Sequence, residues 1–382
     1  MTRLAIVSTH PIQYNAPFFR ELSLQEELSV KVFYTWSQAS GEVYDPGFDI
    51  VREWDIPLLD GYEFEFIKNV ALKPGSHHFW GIVNPSLIKK IREWQPDFIL
   101  VYGWAFFSHL KLIKYFHKKV SILFRGDSTI LDQGHGFKDF LKKKILSWLY
   151  SSVDICLYVG KNNYEYFRKY QVPEERLKYL PHAVDNERFR RPGDLREEPV
   201  LAALKSQLAD KTVFLFVGKF EKKKNPLLLV EAFRDIDYKN AALLFVGQGE
   251  LEKDLKESSA GIDGIHFLPF QNQKTIANIY HIADVLVLPS AYNETWGLVV
   301  NEAMASGLAI IASDKVGCAP DLVENEVNGY IFDSGDLRSL IDKMKAMTGN
   351  ELKRMKEASL KKIADFSIKK NALTLAKILL KK

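Results

Sequence analysis

The chain has 382 residues, a formal net charge of +4, 47% hydrophobic and 26% charged residues. These are globular values that exclude collagen-like, coiled-coil and mainly disordered organisation. Cys156 and Cys318 are the only cysteines, too few for a disulfide framework or a structural zinc site, so a reducing compartment is expected. The opening segment Met1–Val7 is too short for a secretory h-region, and no run approaches the roughly 18 apolar residues of a membrane span. The expectation is a cytoplasmic protein, peripheral to a membrane at most.

In chain order, short apolar runs predict strands at 4–9, 30–35, 98–102, 120–124 and 154–159, then at 212–217, 241–246, 265–268, 284–289, 308–312 and 330–332. Continuous apolar runs between longer stretches of helical spacing fit strands covered on both faces. The fold class expected is α/β, with two doubly wound Rossmann-like domains. Residues 190–199 are charged, hold two prolines and lack periodicity, so they read as a linker. The domains are therefore placed at 1–190 and 200–364, with 365–382 as a further helix.

Charge is unevenly spread. Residues 101–150 balance at +6, residues 351–382 at +7 and residues 251–350 at −7. A helix is expected over 137–150, where Phe137, Phe140, Leu141, Leu146 and Trp148 accompany Lys142–Lys144. If 365–382 packs on the first domain, both basic regions lie on one side of the molecule. That basic side would suit an anionic membrane carrying a lipid-linked acceptor. A solvated helix face accounts for the same charges.

The most informative stretch runs from Pro289 through Glu294 and Glu302 to Gly307. A strand ends at Pro289, a polar loop follows, and a helix begins near Gly297. Glu294 is thus placed at the carboxyl end of a parallel strand, where open α/β sheets bind ligands. The N–H groups of Gly297, Leu298 and Val299 at the helix start form a natural phosphate site. One carboxylate before the helix start, Glu294, and one a turn or two within the helix, Glu302, suit a diphosphate flanked by two hydroxyl-bearing groups. Taken alone, a helix cap and a surface charge account for the same two acids. Lys219 and Lys224 follow another strand and its Gly218, and lysine serves as a point charge for phosphate. Lys222 and Lys223 read as solvated.

Together these segments resemble the retaining GT-B glycosyltransferases of glycosyltransferase family 4. Glu294 and Glu302, eight residues apart, are followed by Ala-Met-Ala-Ser-Gly307. Val217-Gly-Lys219 through Lys224 resembles the family's phosphate-binding pair, and Val246-Gly247-Gln-Gly-Glu250 its Val-Gly-x-Gly turn. Leu180-Pro-His-Ala-Val-Asp185 with Phe189 resembles the segment closing the first domain, and Asn328-Gly329 a strand entry. The likeness is strong over about 180–335 and weaker before it.

The resemblance implies a donor nucleotide sugar, UDP-linked by family frequency, a glycan or lipid-linked acceptor, no separate cofactor and no metal. Nucleic acid is not expected as a partner. It implies that Glu294 holds sugar hydroxyls, Glu302 the ribose, and Lys219 and Lys224 the diphosphate. Gly218, Gly247 and the 297–299 amides would line the phosphates, and Leu268 and Phe270 would flank the base. It also implies that a terminal helix returns to the first domain. The chain departs from the family in three places. Lys219 stands for an arginine, Asn225 for a glycine, and His10-Pro-Ile-Gln13-Tyr-Asn15 for a glycine-rich loop. Gln13 and Asn15 are therefore donor-side candidates and His10 an acceptor-side one. Phe124-Arg125-Gly-Asp127 ends a strand where the family often sets His or Asp beside the reacting carbon, which makes Asp127 a catalytic candidate and Arg125 an acceptor-side one. His135 reads as a loop residue. A catalytically silent nucleotide- or glycan-binding protein and a sugar-nucleotide epimerase are the alternatives carried forward.

Overall fold

The computed structural model describes all residues except 40–42, 46–49, 53, 132–136, 192, 194–197, 237–238 and 381–382. His135 and half of 190–199 therefore lie outside the described residues. The chain forms two compact units. The first comprises Met1–Val43, Pro57–His182 and Ile368–Lys382; the second comprises Tyr44–Ile56 and Ala183–Ser367.

The first unit is built on a seven-stranded sheet. Its strands are β1 (Thr2–Ser8), β2 (Leu28–Tyr34), β5 (Glu63–Phe66), β6 (Phe98–Tyr102), β7 (Ser121–Arg125), β8 (Ile155–Tyr158) and β9 (Leu177–Tyr179). They lie in the order β5-β2-β1-β6-β7-β8-β9, and each paired neighbour is parallel. Between β2 and β5 the chain also forms the pair β3 (Val43–Asp45) and β4 (Ile50–Arg52).

The second unit holds β10 (Thr212–Val217), β11 (Ala241–Val246), β12 (Ile265–Leu268), β13 (Val285–Leu288), β14 (Ala309–Ser313) and β15 (Gly329–Phe332). Their order is β12-β11-β10-β13-β14-β15, again all parallel. Strands β11, β13 and β14 are buried at every residue, which is why they read as unbroken apolar runs in the sequence.

The strands missed by that reading are at edges or very short. β5 is Glu-Phe-Glu-Phe, alternating rather than continuous, and its outer acids pair with Lys31: Glu63 at 3.0 Å and Glu65 at 3.2 Å. The crossing into the second unit falls at His182–Ala183, ahead of 190–199. The reason is local: the helix Asn186–Arg190 is already held there, with Phe189 O accepting from His281 Nε2 at 2.8 Å and Ser306 Oγ at 3.0 Å.

Successive residues of β1 point to opposite faces. Leu4 and Ile6 pack with Ala372, Leu375, Ala376 and Leu379 of the helix Ile368–Leu380. Ala5 and Val7 belong to the other core, with Leu146, Leu149 and Tyr150 of the helix Phe137–Ser151. This corrects the expectation of a single basic side, because the two basic helices cover opposite faces of the sheet. The basic balance of 351–382 is itself divided, since the helix Gly349–Ile363 lies in the second unit. Leu146 is fully buried and does not sit beside the lysines as surface, whereas Ile145 and Trp148 are exposed. Among the described residues, no helix is long and apolar enough to cross a membrane.

Candidate functional site

In the second sheet the chain winds from β10 to β11 and β12, then returns to β13 on the other side of β10. The loops after β10 and β13 therefore part at the topological switch point, where open parallel sheets leave a crevice for ligands. Both loops carry the candidates. Gly218 and Lys219 follow β10 directly, and Lys224 closes a single turn at Lys222–Lys224. Asn225 adopts φ +50°, in the left-handed region, which asparagine tolerates better than most residues; this explains how it serves where the family pattern has glycine. Pro226 then starts the next helix, Pro226–Phe233.

The two loops are joined by backbone and side chain. Ala291 N–H donates to Lys223 O at 2.7 Å. Lys224 Nζ donates to Glu294 Oε2, with the side chains 14% and 13% exposed, and Ser290 Oγ donates to the same oxygen at 3.2 Å. Lys223 pairs instead with Glu221 at 3.3 Å. The structure thus brings Lys224 and Glu294 together.

A third loop, after β14, backs this arrangement and escaped the sequence reading. Glu294 bridges Val316, Gly317 N–H donates to Glu294 O at 2.9 Å and Cys318 N–H donates to Trp296 O at 2.9 Å. A Cβ on Gly317 would stand 1.9 Å from Thr295 O, so only glycine permits this approach. The signal in the sequence was a lone Gly after an apolar strand, too common to single out.

Beside them, the loop after β11 lies against the loop after β10. Gly218 N–H donates to Val246 O at 3.0 Å and Gly247 N–H to Leu268 O at 3.1 Å. Gly247 has φ +146°, and a Cβ there would stand 1.9 Å from Gly218 O. The Val-Gly-x-Gly turn is thus a close backbone contact. It aligns Gly218, Gly247 and half-buried Leu268 along the carboxyl edge, with Phe270 two residues beyond β12.

The helix Leu298–Ala305 is capped by Gly297 at φ +91°, without a side-chain cap. The amides of Leu298 and Val299 are in its first turn, where an α-helix provides no internal acceptor and the dipole is positive. Glu302 sits deeper. It is 3% exposed, and its Oε2 accepts from Tyr280 Oη at 2.8 Å. The structure places this carboxylate inside the unit and not on the open edge with Glu294. Tyr280, its partner, was not identified from sequence.

In the first unit the switch point lies between β1 and β6. His10, Gln13 and Asn15 follow β1. His10 Nδ1 is 2.9 Å from Thr9 Oγ1 and its ring meets Trp36 edge-on at 5.2 Å. Asn15 precedes the helix Ala16–Ser23 without capping it by its side chain. Asp127, exposed after β7, borders a cavity of about 180 Å³ lined also by Gly103, Trp104, Phe106, Ser128 and Asn163. Arg125 is different. It is 7% exposed and donates to Leu180 O at 2.7 Å and Pro181 O at 3.2 Å. Its guanidinium braces the end of the first unit, and burial lowers its pKa from the usual arginine value.

Nearby, His109 is fully buried. Nδ1 lies 3.0 Å from Gly103 O and Nε2 3.0 Å from Thr35 Oγ1, whose hydroxyl also donates to Ser8 O at 3.2 Å. Burial pulls its pKa down to about 4. Among the described residues, no group of three or more His, Cys, Asp or Glu is arranged to hold a metal.

Comparison with known proteins finds two matching family models. The family model described as Glycosyl transferases group 1 matches residues 204–362, and that described as Glycosyltransferase Family 4 matches residues 45–188. A sulfoquinovosyl transferase of Arabidopsis thaliana is 24% identical over 276 residues, covering 69% of this chain and 52% of the relative. A UDP-Gal:alpha-D-GlcNAc-diphosphoundecaprenol alpha-1,3-galactosyltransferase of Escherichia coli is 28% identical over 256 residues, covering 61% and 64%. A D-inositol 3-phosphate glycosyltransferase of Saccharomonospora viridis is 31% identical over 192 residues, covering 46% and 42%. The chain spans about half the length of the curated relatives it matches.

Among solved structures, Anabaena HepE in complex with UDP superposes with a TM-score of 0.72 at 16% identity over 99% of both chains. A structure described as trehalose-6-phosphate from E. coli bound with UDP-2-fluoro glucose gives 0.73 at 13% identity over 100% of this chain and 99% of that one. At these identities the likeness concerns the fold.

Proposed function

This chain belongs to glycosyltransferase family 4 and has the GT-B fold, and from that premise we propose that it moves a hexose from a UDP-sugar to a glycan or lipid-linked acceptor. The proposed transfer retains anomeric configuration, needs no metal and serves bacterial surface polysaccharide assembly. The observation that carries this reading is the Lys224–Glu294 pair at the switch point, beside the start of the helix Leu298–Ala305.

When a glycosidic bond to a nucleoside diphosphate breaks, negative charge gathers on the departing phosphate and the sugar becomes oxocarbenium-like. Fixed positive groups at the phosphate stabilise that state because they need no reorganisation. Lys224, Lys219 and the Leu298 and Val299 amides have that role here. Glu294 holds the sugar hydroxyls, and Leu268 and Phe270 flank the base, with Gly218 and Gly247 admitting the phosphates to the backbone. Glu302 is assigned to the ribose, reached by sharing the carboxylate that Tyr280 binds. In the first unit, Asp127 is assigned to the reacting centre, Gln13 and Asn15 to the donor, and His10 to the acceptor.

The relatives support the substrate class through their names: the E. coli relative is described as using UDP-Gal and a diphosphoundecaprenol acceptor, and HepE was solved with UDP. A lipid-linked acceptor accords with the exposed Ile145 and Trp148 beside Lys142–Lys144, a surface suited to an anionic bilayer. Flotation with anionic but not neutral vesicles is the expected result for that contact.

The central test is a thermal-shift screen of nucleotide sugars followed by donor hydrolysis, with NMR of the released sugar. Stabilisation by UDP-glucose or a related UDP-sugar, with the α-anomer released first from an α-donor, is expected. Binding without turnover of any donor or acceptor favours the silent protein, and conversion at C2 favours the epimerase.

A further inference from the structure

Residues 44–56 group with the second unit although 43 and 57 belong to the first. Within that unit Asp55 meets the start of the helix Gln273–Tyr280: Oδ1 accepts from Gln273 N–H at 3.1 Å and Oδ2 from Lys274 N–H at 3.0 Å. The acid is thus brought 218 residues along the chain to the positive end of a helix. The helix already has a local cap, Asn272, whose side chain accepts from Gln273 N–H at 2.9 Å. Asn272 thus shares the first amide with Asp55 Oδ1, and the second amide is served by Asp55 Oδ2.

We infer that Asp55 is a positioning residue for nucleotide recognition, fixing the segment that joins β12 to this helix. The inference rests on the proposed function, which places the base against Leu268 and Phe270. Only residues 269–272 lie between the two elements. One end is held where Leu268 O accepts from Gly247 N–H, and the other by the two oxygens of Asp55. Arg188 adds a bond to Gln273 Oε1 at 2.7 Å, so the helix start is held sideways as well. With both ends set, a four-residue link carrying Phe270 has little freedom left, and a ring poised against a base binds more tightly when its ordering is already complete. The carboxylate acts on the ligand only through this link.

Asp55→Asn and Asp55→Ala are compared with the unaltered chain by hydrogen exchange over 269–276, UDP titration calorimetry and donor kinetics. Exchange at Gln273 and Lys274 is expected to rise, and UDP affinity to fall about three- to thirtyfold in Asp55→Ala, the range of a lost cap. The donor KM rises by the same factor while kcat changes less, and Asp55→Asn, which keeps one acceptor oxygen, recovers part of the loss. Exchange that does not rise in Asp55→Ala overturns the cap. Raised exchange with UDP affinity unaltered overturns the role in recognition while leaving the enzyme reading standing. An unaltered chain that binds no nucleotide overturns the proposed function itself, and this role with it.

Discussion

Lys224 and Glu294, 70 residues apart in sequence, form an ion pair across the carboxyl ends of the adjacent strands β10 and β13, with both side chains about seven-eighths buried. Each is the other's main compensation in a poorly solvated place, so removing one leaves a buried charge exposed to new partners. A diphosphate, carrying negative charge, competes with Glu294 for the same ammonium.

Glu294→Gln keeps the side chain's size and its bond to Ser290 but releases Lys224. Transfer is expected to fall about a hundredfold or more, the scale of losing an interaction formed with the transition state, while UDP binds equally well or more tightly. Calorimetry beside a transfer assay measures both. Lost UDP binding with sugar turnover intact would reverse the roles of acid and phosphate site.

Lys224→Ala removes the cation that faces ground state and transition state alike. UDP affinity is expected to drop about tenfold, and kcat/KM about 10²- to 10³-fold, with Lys224→Arg regaining part. Steady-state kinetics at unchanged rate would make this lysine a structural partner of Glu294 and nothing more.

Gly317→Ala tests the backing loop. The added carbon would stand 1.9 Å from Thr295 O, so the 294–297 loop must shift. Overpacking of this kind costs about 1–3 kcal/mol, and the displaced Glu294 should lower kcat more than UDP affinity. Urea denaturation and kinetics check the two effects, and an alanine variant with native stability and rate refutes the close contact.

His109 gives a pH dependence whose sign is set by burial. Its pKa lies at about 4 in the fold against 6.5 for the free side chain. Above pH 6.5 both states are neutral and His109 contributes no slope. Between 6.5 and 4 the unfolded chain takes up a proton that the folded chain refuses, so stability falls with falling pH, by about 3 kcal/mol in all. Urea unfolding at pH 7 and pH 4.5 should show a smaller loss for His109→Gln than for the unaltered chain; equal losses would mean the ring is protonated in the fold.

The inner strands were legible because a parallel sheet covered on both faces demands apolar residues at every position, as β11, β13 and β14 show. β5 was not, because an edge strand needs to satisfy only one face and its Glu-Phe-Glu-Phe pattern makes no continuous run. The acids, lysines and glycines of the candidate site stood out as ordered motifs after strand ends. Their geometry did not: a surface charge accounted for Glu302 in the sequence, yet it is buried on Tyr280, while Glu294 stands at the crevice.

By itself, then, the amino-acid order determined the alternation of strands and helices, the α/β class and the family's motifs, since these depend on local periodicity and on residue chemistry near each strand end. Tertiary structure alone decided that Lys224 meets Glu294, that Asp55 reaches Lys274, and that the basic helices Phe137–Ser151 and Ile368–Leu380 cover opposite faces of one sheet. Those pairings depend on strand order and on which face a returning helix covers. Both are settled by burying apolar surface contributed from distant parts of the chain, which no local stretch of residues encodes.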